Sequence, residues 1–376
     1  MLAAAALFAP PAAQAAAPAW ITTWAAAPDS EGPALANQTV RQALRVSMGG
    51  ARLRIRLSNA YGTAPLSIGA VTIGRAASPA SVRPLLFNGS AALTIAPGAD
   101  ALSDALDLPV AALDELAVSI DVKATGGPST IHSDARQDAQ ITGAATDASR
   151  YFLSDVLVEA PAGARAIVIV GDSISDGDGS TSNRNARWPD ALAARLQSEP
   201  RLASVAVVNA GISGNRLLEP GPVGPSMLQR FERDALAKPG VRWILLEAGL
   251  NDIGLSGAIP GAPVSADRVI EGLKELAARA RSRGIAVWGA TLTPYGGADQ
   301  PLRHNPSAEA KRQEVNTWIR SSRSFDRVID FDAAVRDPGQ PARILPAYDS
   351  GDHVHPNDSG YRALAAAVPL HFFSEK

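Results

Sequence analysis

A serine that attacks a carbonyl needs a base to take its proton, and the base needs an acceptor that fixes its tautomer. The chain has five histidines, His132, His304, His353, His355 and His371, and no cysteine. Two of them fall in Asp352-His353-Val354-His355-Pro356-Asn357, near the C-terminus. An aspartate three residues before a histidine can lie beside the ring within one turn of chain and accept its Nδ1–H. Nε2 of His355 is then free for a serine. A matching serine stands in Val170-Gly171-Asp172-Ser173-Ile174-Ser175, where an apolar run gives way to turn residues. Ser175 sits where a G-x-S-x-G elbow requires its second glycine, so that motif is not met. Taken singly, the Gly-Asp-Ser segment also reads as a plain turn capping the next helix. The two histidines also read as surface loop residues, or as part of an Asp/His metal site.

Acyl transfer further requires donors for a developing oxyanion. Asn209-Ala210-Gly211-Ile212-Ser213-Gly214-Asn215 offers the unshielded N–H of Gly211, and Ala248-Gly249-Leu250-Asn251-Asp252 offers the Asn251 carboxamide. Each alone is equally a Gly/Asn turn. Asp172 reads as structural, and Ser213 is a poor rival nucleophile because no base is assigned to it. The acids of 172–178 break the alternation of a calcium loop at Ile174, Thr181 and Arg187. A metal site is hard to complete with no cysteine, no H-E-x-x-H and no ligand-like histidine spacing.

These segments must be held by strands and helices, and the grammar of the chain changes midway. Between Trp20 and Val158 the apolar period is two. Leu44, Val46 and Met48 alternate with polar neighbours, then Gly49-Gly50, then Leu53, Ile55 and Leu57 alternate with arginines. That pattern predicts a hairpin turned at the Gly-Gly pair. Further strands are expected at 66–73, 93–96 and 116–122, giving a β-sandwich-like domain over 18–158. Residues 159–164, around Glu159-Ala-Pro-Ala-Gly163, read as a linker. Beyond it, strands at 166–170, 205–208, 241–246, 285–290 and 328–331 alternate with helices at 188–196, 227–236, 267–283, 308–320 and 359–368. Ser265 is the expected N-cap and Gly284 the expected stop of the third helix. This is a parallel sheet flanked by helices, over 165–376, in which ligands sit beyond the carboxyl ends of the strands. All four chemistry-bearing segments fall there.

Composition narrows the partners. Lys+Arg at 35 against Asp+Glu at 37 gives a net charge of −2 without a basic run, which argues against nucleic acid. The start, MLAAAALFAPPAAQAAAPAW, has an apolar stretch and Ala13-Gln14-Ala15, the small-residue pattern of a cleaved export signal over 1–17. A secreted or periplasmic protein without a transmembrane segment is expected. Trp20 and Trp24 read as core or interface residues rather than a sugar platform.

Together, Gly171-Asp172-Ser173-Ile174, Gly211, Gly249-Leu250-Asn251-Asp252 and Asp352-His353-Val354-His355-Pro356 resemble the blocks of the SGNH, or GDSL-type, hydrolase superfamily, with Ile174 in place of its leucine. The β-rich module before them looks like secreted bacterial two-domain members. The resemblance implies a flavodoxin-like three-layer fold and an esterase that needs no cofactor. His355, oriented by Asp352, would take the proton of Ser173, and Ser173 N–H, Gly211 N–H and Asn251 would hold the oxyanion. The expected substrates are esters of small or carbohydrate-linked acyl groups. A carbohydrate-binding protein with a secondary hydrolase domain is the rival, though binding alone has no need of Ser173, Asp352 and His355 together. An acyltransferase would use the same acyl-enzyme with an alcohol in place of water. A chelator should leave ester hydrolysis unchanged in a steady-state assay; loss of activity, restored by a divalent metal, would reassign the Asp352–His355 segment to a metal site.

Overall fold

The computed structural model describes residues 19–374 apart from 222, 256–262, 299–301 and 303. The expected export signal, 1–17, lies outside the described residues.

Up to residue 160 the chain forms antiparallel sheets. One has the order β1 (Ala19–Ala25), β13 (Leu153–Ala160), β4 (Leu53–Ser58), β8 (Asp100–Leu102). A second runs β11 (Ala139–Ile141), β3 (Ala36–Arg45), β9 (Glu115–Ala124), β5 (Leu66–Arg75), β6 (Arg83–Leu85), with β7 (Leu93–Ile95) also on β5. A small third sheet joins β12 (Arg150–Tyr151), β10 (Ser129–His132) and β2 (Ser30–Gly32). The period-two residues face inward: Val40 and Leu44 of β3, Leu53, Ile55 and Leu57 of β4, and Leu116, Val118, Ile120 and Val122 of β9 are all buried. The result is a β-sandwich. Trp24 is in its core, and Trp20 is half-buried beneath Arg54, 4.7 Å from the ring centroid.

The expected hairpin does not form. β3 pairs with β9 and β11, whereas β4 pairs with β13 and β8, so the Gly49-Gly50 pair carries the chain from one sheet to the other. Alternation marks a buried face equally for hairpin partners and for strands facing each other across a sandwich. The glycines serve close approach instead: a Cβ at Gly49 would lie 2.5 Å from Val110 O, and one at Gly50 would lie 2.6 Å from Glu159 O. β13 continues to Ala160, so only 161–164 separate it from the next strand.

The second half is a five-stranded parallel sheet, ordered β15 (Val205–Asn209), β14 (Arg165–Val170), β16 (Val241–Leu246), β17 (Ala286–Ala290), β18 (Arg327–Ile329). A separate two-stranded ribbon, β19 (Arg336–Asp337) and β20 (Gln340–Ile344), follows. β14 is buried on both faces. Ile167 and Ile169 pack with Trp188, Trp243, Trp288, Tyr361 and Phe373, while Ala166, Val168 and Val170 pack on the other side in a cluster continuous with the sandwich core. The two halves therefore share one hydrophobic interior. Helices cover both faces: α2 (Trp188–Gln197) and α8 (Asp358–Ala367) on the first, and α3 (Met227–Phe231), α5 (Ala266–Arg281) and α6 (Pro306–Ser321) on the second. Ser265 caps α5, its hydroxyl accepting Arg268 N–H, and Gly284 follows at φ +71°. The expected strand at 328–331 stops at Ile329, because Asp330 turns its carboxylate back to cap α7 (Phe331–Val335).

Strand order reverses about β14, so a crevice opens at the carboxyl ends of β14, β15 and β16. Arg230 of α3 fastens this edge. Its buried guanidinium donates to Gly171 O at 3.0 Å, Ala210 O at 2.6 Å and Asn215 Oδ1 at 2.8 Å, and meets Asp234 at 3.3 Å. Among the described residues, no helix is long and apolar enough to cross a membrane. Replacing Arg230 by Met strips donors from two buried carbonyls and a charge from Asp234. It should cost about 3–5 kcal/mol in a denaturant titration; a loss under about 1 kcal/mol would show that the edge holds without it.

Candidate active site

β14 runs into Gly171, where there is no room for a side chain: a Cβ there would sit 2.3 Å from Ser175 Oγ and 2.9 Å from Glu247 Oε2. The next residue, Asp172, caps α1 (Ser173–Asp176) by accepting Ile174 N–H at 3.0 Å. That cap sets Ser173 at the first position of the helix, above the sheet edge.

Ser173 Oγ lies 2.8 Å from His355 Nε2, and His355 Nδ1 lies 2.5 Å from Asp352 Oδ2. The segment 349–355 folds around its own acids. Asp352 Oδ1 accepts Val354 N–H at 2.9 Å and His355 N–H at 2.8 Å, which turns its second oxygen toward the ring. His353, at φ +64°, points its ring to Asp349 at 2.6 Å, away from Ser173. Of the two histidines in the motif, only His355 joins the serine.

Electrostatics sorts the acids around it. Burial raises the Asp352 carboxyl, but the His355 side chain and the backbone donors outweigh it and hold Asp352 well below the usual carboxylate range. Burial pulls His355 down, while the Asp352 hydrogen bond and the charges of Asp178, Asp352 and Asp172 push harder, and the net shift is upward. Asp178 Oδ2 is 3.8 Å from His355 Nε2 and accepts Ser213 Oγ–H at 2.6 Å. Burial pushes Asp178 up to about 7, against the pull of His355.

Beneath Ser173, Asp172 meets Glu247, which sits just beyond β16. Burial is the main force raising both, and the mutual contact raises Asp172 further. A proton held between them would replace repulsion by a hydrogen bond, and Glu247 Oε2 also accepts Ser175 Oγ–H at 3.1 Å. Glu247 escaped the sequence reading, although a lone acid in Leu245-Leu246-Glu247-Ala248 was its signal.

The expected oxyanion donors separate. Asn251, in α4 (Leu250–Gly254), reaches the site: its Nδ2 donates to Asp172 Oδ2 at 3.2 Å and to Asn215 O at 3.1 Å. Gly211 does not fill its expected place. Its N–H is donated to Asn209 Oδ1 at 3.0 Å, and the residue packs against the end of α1, where a Cβ would be 2.5 Å from Asp176 N. Gly214, three residues on at φ +71°, lines the cavity beside Ser173, and its N–H has no partner among the described residues. Accessibility cannot be judged from the lack of a side chain, because an asparagine two residues earlier readily closes an Asx turn on such an N–H.

The cavity over Ser173 measures about 310 Å³. Ser173, His355, Asp352, Asp178, Ser213, Gly214 and Asn251 form its polar part, and Val223, Leu255, Leu302 and Val354 its apolar part. Among the described residues, no group of three or more His, Cys, Asp or Glu side chains is placed to hold a metal ion.

Residues 169–363 match the GDSL-like lipase/acylhydrolase family. Solved structures similar to the chain include a lipolytic protein of the G-D-S-L family from Desulfitobacterium hafniense DCB-2 (21% identity, 54% of this chain and 96% of that one, TM-score 0.40). Others are a GDSL-like lipase from Bacteroides thetaiotaomicron (19%, 54% and 85%, TM-score 0.40) and an acetylxylan esterase from Geobacillus stearothermophilus (23%, 54% and 91%, TM-score 0.41). No curated protein matches. With the match spanning just over half of its 376 residues and a parallel sheet flanked by helices beneath it, the chain belongs to the GDSL-like lipase/acylhydrolase family of hydrolases.

Proposed function

We propose that the chain is an exported serine esterase in which Ser173, His355 and Asp352 act as nucleophile, base and orienting acid. The observation that carries the reading is the pair of hydrogen bonds joining Ser173 Oγ, His355 and Asp352, at 2.8 and 2.5 Å, on the wall of a cavity. His355 Nε2 takes the Ser173 proton as Oγ attacks the ester carbonyl. The charge left on the carbonyl oxygen is met by Ser173 N–H, Gly214 N–H and Asn251 Nδ2–H, with Gly214 in the place first given to Gly211. Asn251 must then loosen a bond it makes in the free enzyme, and the longer one, to Asp172, is the one to yield. The protonated His355 returns its proton to the leaving alcohol, water follows the same route, and the acid is released. Val223, Leu255, Leu302 and Val354 give the acyl group an apolar wall, which suits short acyl chains. In this reading 165–376 houses the chemistry, 18–158 is an accessory β-domain, and the leader pattern at 13–15 directs export.

Ser173→Ala and His355→Ala should each lower kcat on an aryl ester by about ten-thousandfold or more, the double variant being little worse because the groups act as a unit. Full activity in purified Ser173→Ala would end the reading. Asn251→Ala should lower kcat by about a hundredfold or more, about 3–4 kcal/mol of barrier, with KM nearly constant. A lowered melting temperature with kcat unchanged would leave it a structural residue.

The base works only when neutral, and its pKa lies above the ordinary 6.5, so kcat/KM should rise with pH through a point above that value. Removing the Asp178 charge takes away one of the groups holding the proton on His355. Asp178→Asn should therefore move the acid limb to lower pH, and an unmoved or raised limb would show that Asp178 does not act on the base.

A further inference from the structure

His132 belongs to β10 of the β-sandwich, yet its ring reaches the end of α1. Nε2 lies 3.1 Å from Asp176 Oδ1, and Nδ1 lies 2.9 Å from Ala27 O and 3.2 Å from Asp29 Oδ2. Both ring nitrogens thus face only acceptors, and a neutral imidazole has a single N–H. The geometry calls for the imidazolium. Burial opposes that charge, but Asp176 and Asp29 overcome it and push His132 up to about 10. Asp29 is otherwise filled by Ser133 N–H and by the hydroxyls of Ser133 and Ser30. The other oxygen of Asp176 accepts Ser213 N–H at 2.9 Å. Ser213 is thereby held at both ends, its N–H by Asp176 and its hydroxyl by Asp178. The next residue is Gly214.

We propose that His132 is a positioning residue for the hydrolase site: by holding Asp176 against Ser213 N–H, it fixes the direction of the Gly214 N–H. The β-sandwich then contributes to ester hydrolysis without lending a group to the reacting atoms. The inference rests on the oxyanion role assigned above to Gly214. Without His132, the fully buried Asp176 has lost its charged partner within hydrogen-bond reach and takes up a proton. Its carboxyl can then turn or donate elsewhere, and Ser213 N–H loses the fixed acceptor that sets the Ser213-Gly214 backbone.

The test measures kcat per active site, counted by titration with a fluorophosphonate, on a small aryl ester. His132→Ala and Asp176→Ala should each lower kcat per titrated site by at least about tenfold, with KM within about twofold, as expected of a donor used in the transition state. Asp176→Asn should stay within about threefold of the wild type: a neutral His132 can accept its carboxamide N–H at Nε2 while its oxygen keeps Ser213 N–H. A purely structural role would reduce the number of titratable sites and the melting temperature but leave kcat per site unchanged. His132→Leu/Asp176→Leu removes both charges together and avoids an unpaired buried ion, so it serves where the alanine variants do not fold. It should show the same tenfold loss. Unchanged kcat per site in these variants, or Asp176→Asn as impaired as Asp176→Ala, would overturn the proposal. Failure of the esterase reading itself shows differently, as a wild-type protein that fluorophosphonate does not titrate.

Discussion

An ionised carboxyl group buried without a partner is among the costliest things a protein can hold, and this site holds three buried acids and a part-buried fourth within two adjoining strand ends. Asp172, Asp176 and Asp178 follow β14, and Glu247 follows β16. Each is made tolerable by a different device. Asp172 and Glu247 meet each other, and burial raises both toward the neutral form. Asp176 is met by the His132 imidazolium on one oxygen and by Ser213 N–H on the other. Asp178 is met by the Ser213 hydroxyl and faces His355. The positions of Ser173, Ser213 and Asn251 follow from these pairings, since each is adjacent to a paired acid or bonded to one, and Gly214 follows Ser213 in the chain.

The same constraint accounts for the way the two halves are joined. A sheet with helices on both faces can cover its own apolar surface, but its nearby cation, Arg187, is hydrogen-bonded to Asp190 and acts on Asp176 only through its charge, and the β-sandwich supplies the one that hydrogen-bonds it. The junction is fastened by other polar contacts in buried ground: Thr22 N–H to Pro239 O at 2.9 Å, Val207 N–H to Ser47 Oγ at 3.0 Å, and Lys238 Nζ to Asp155 at 2.5 Å. Ile21 fills the space over Gly240, where a Cβ would lie 2.4 Å from its Cδ1. With the hydrophobic core running on from one half to the other, the sandwich is built into the hydrolase half rather than tethered to it.

How much of this was legible in the sequence depended on the range of the interaction. The strands and helices of the second half were readable because a continuous apolar run or a 3.6-residue stripe is a local property, and Ser265 and Gly284 marked their helix as capping chemistry demands. The juxtaposition of Ser173, Asp352 and His355 was readable because Asp352 and His355 lie within one turn of chain and Ser173 ends a strand of the same sheet. Strand partners were not: β3 and β4 alternate as a hairpin would, and only the fold shows that they lie in different sheets. His132 carried no signal, since its partners are 103 residues away at Asp29 and 44 away at Asp176. For Gly211 the obstacle is the opposite one, a bond too local: Asn209 Oδ1 accepts Gly211 N–H, while Gly214 lines the cavity.

The two aspartates nearest His355 show how environment assigns different parts to one side chain. Asp352 is about half exposed at its side chain and receives two backbone N–H bonds besides the imidazole. Water and donors together keep it charged throughout the range in which His355 titrates, so it can hold Nδ1–H without competing for the proton. Asp178 is mostly enclosed and has a single hydroxyl donor, and burial pushes its carboxyl up to about 7 against the pull of His355, 3.8 Å away. In the proposed esterase, exchange of the two environments would push Asp352 toward neutrality and leave the imidazole free to take either tautomer. The exposure of Asp352 would therefore keep the proposed Ser173, His355 and Asp352 relay in one working state.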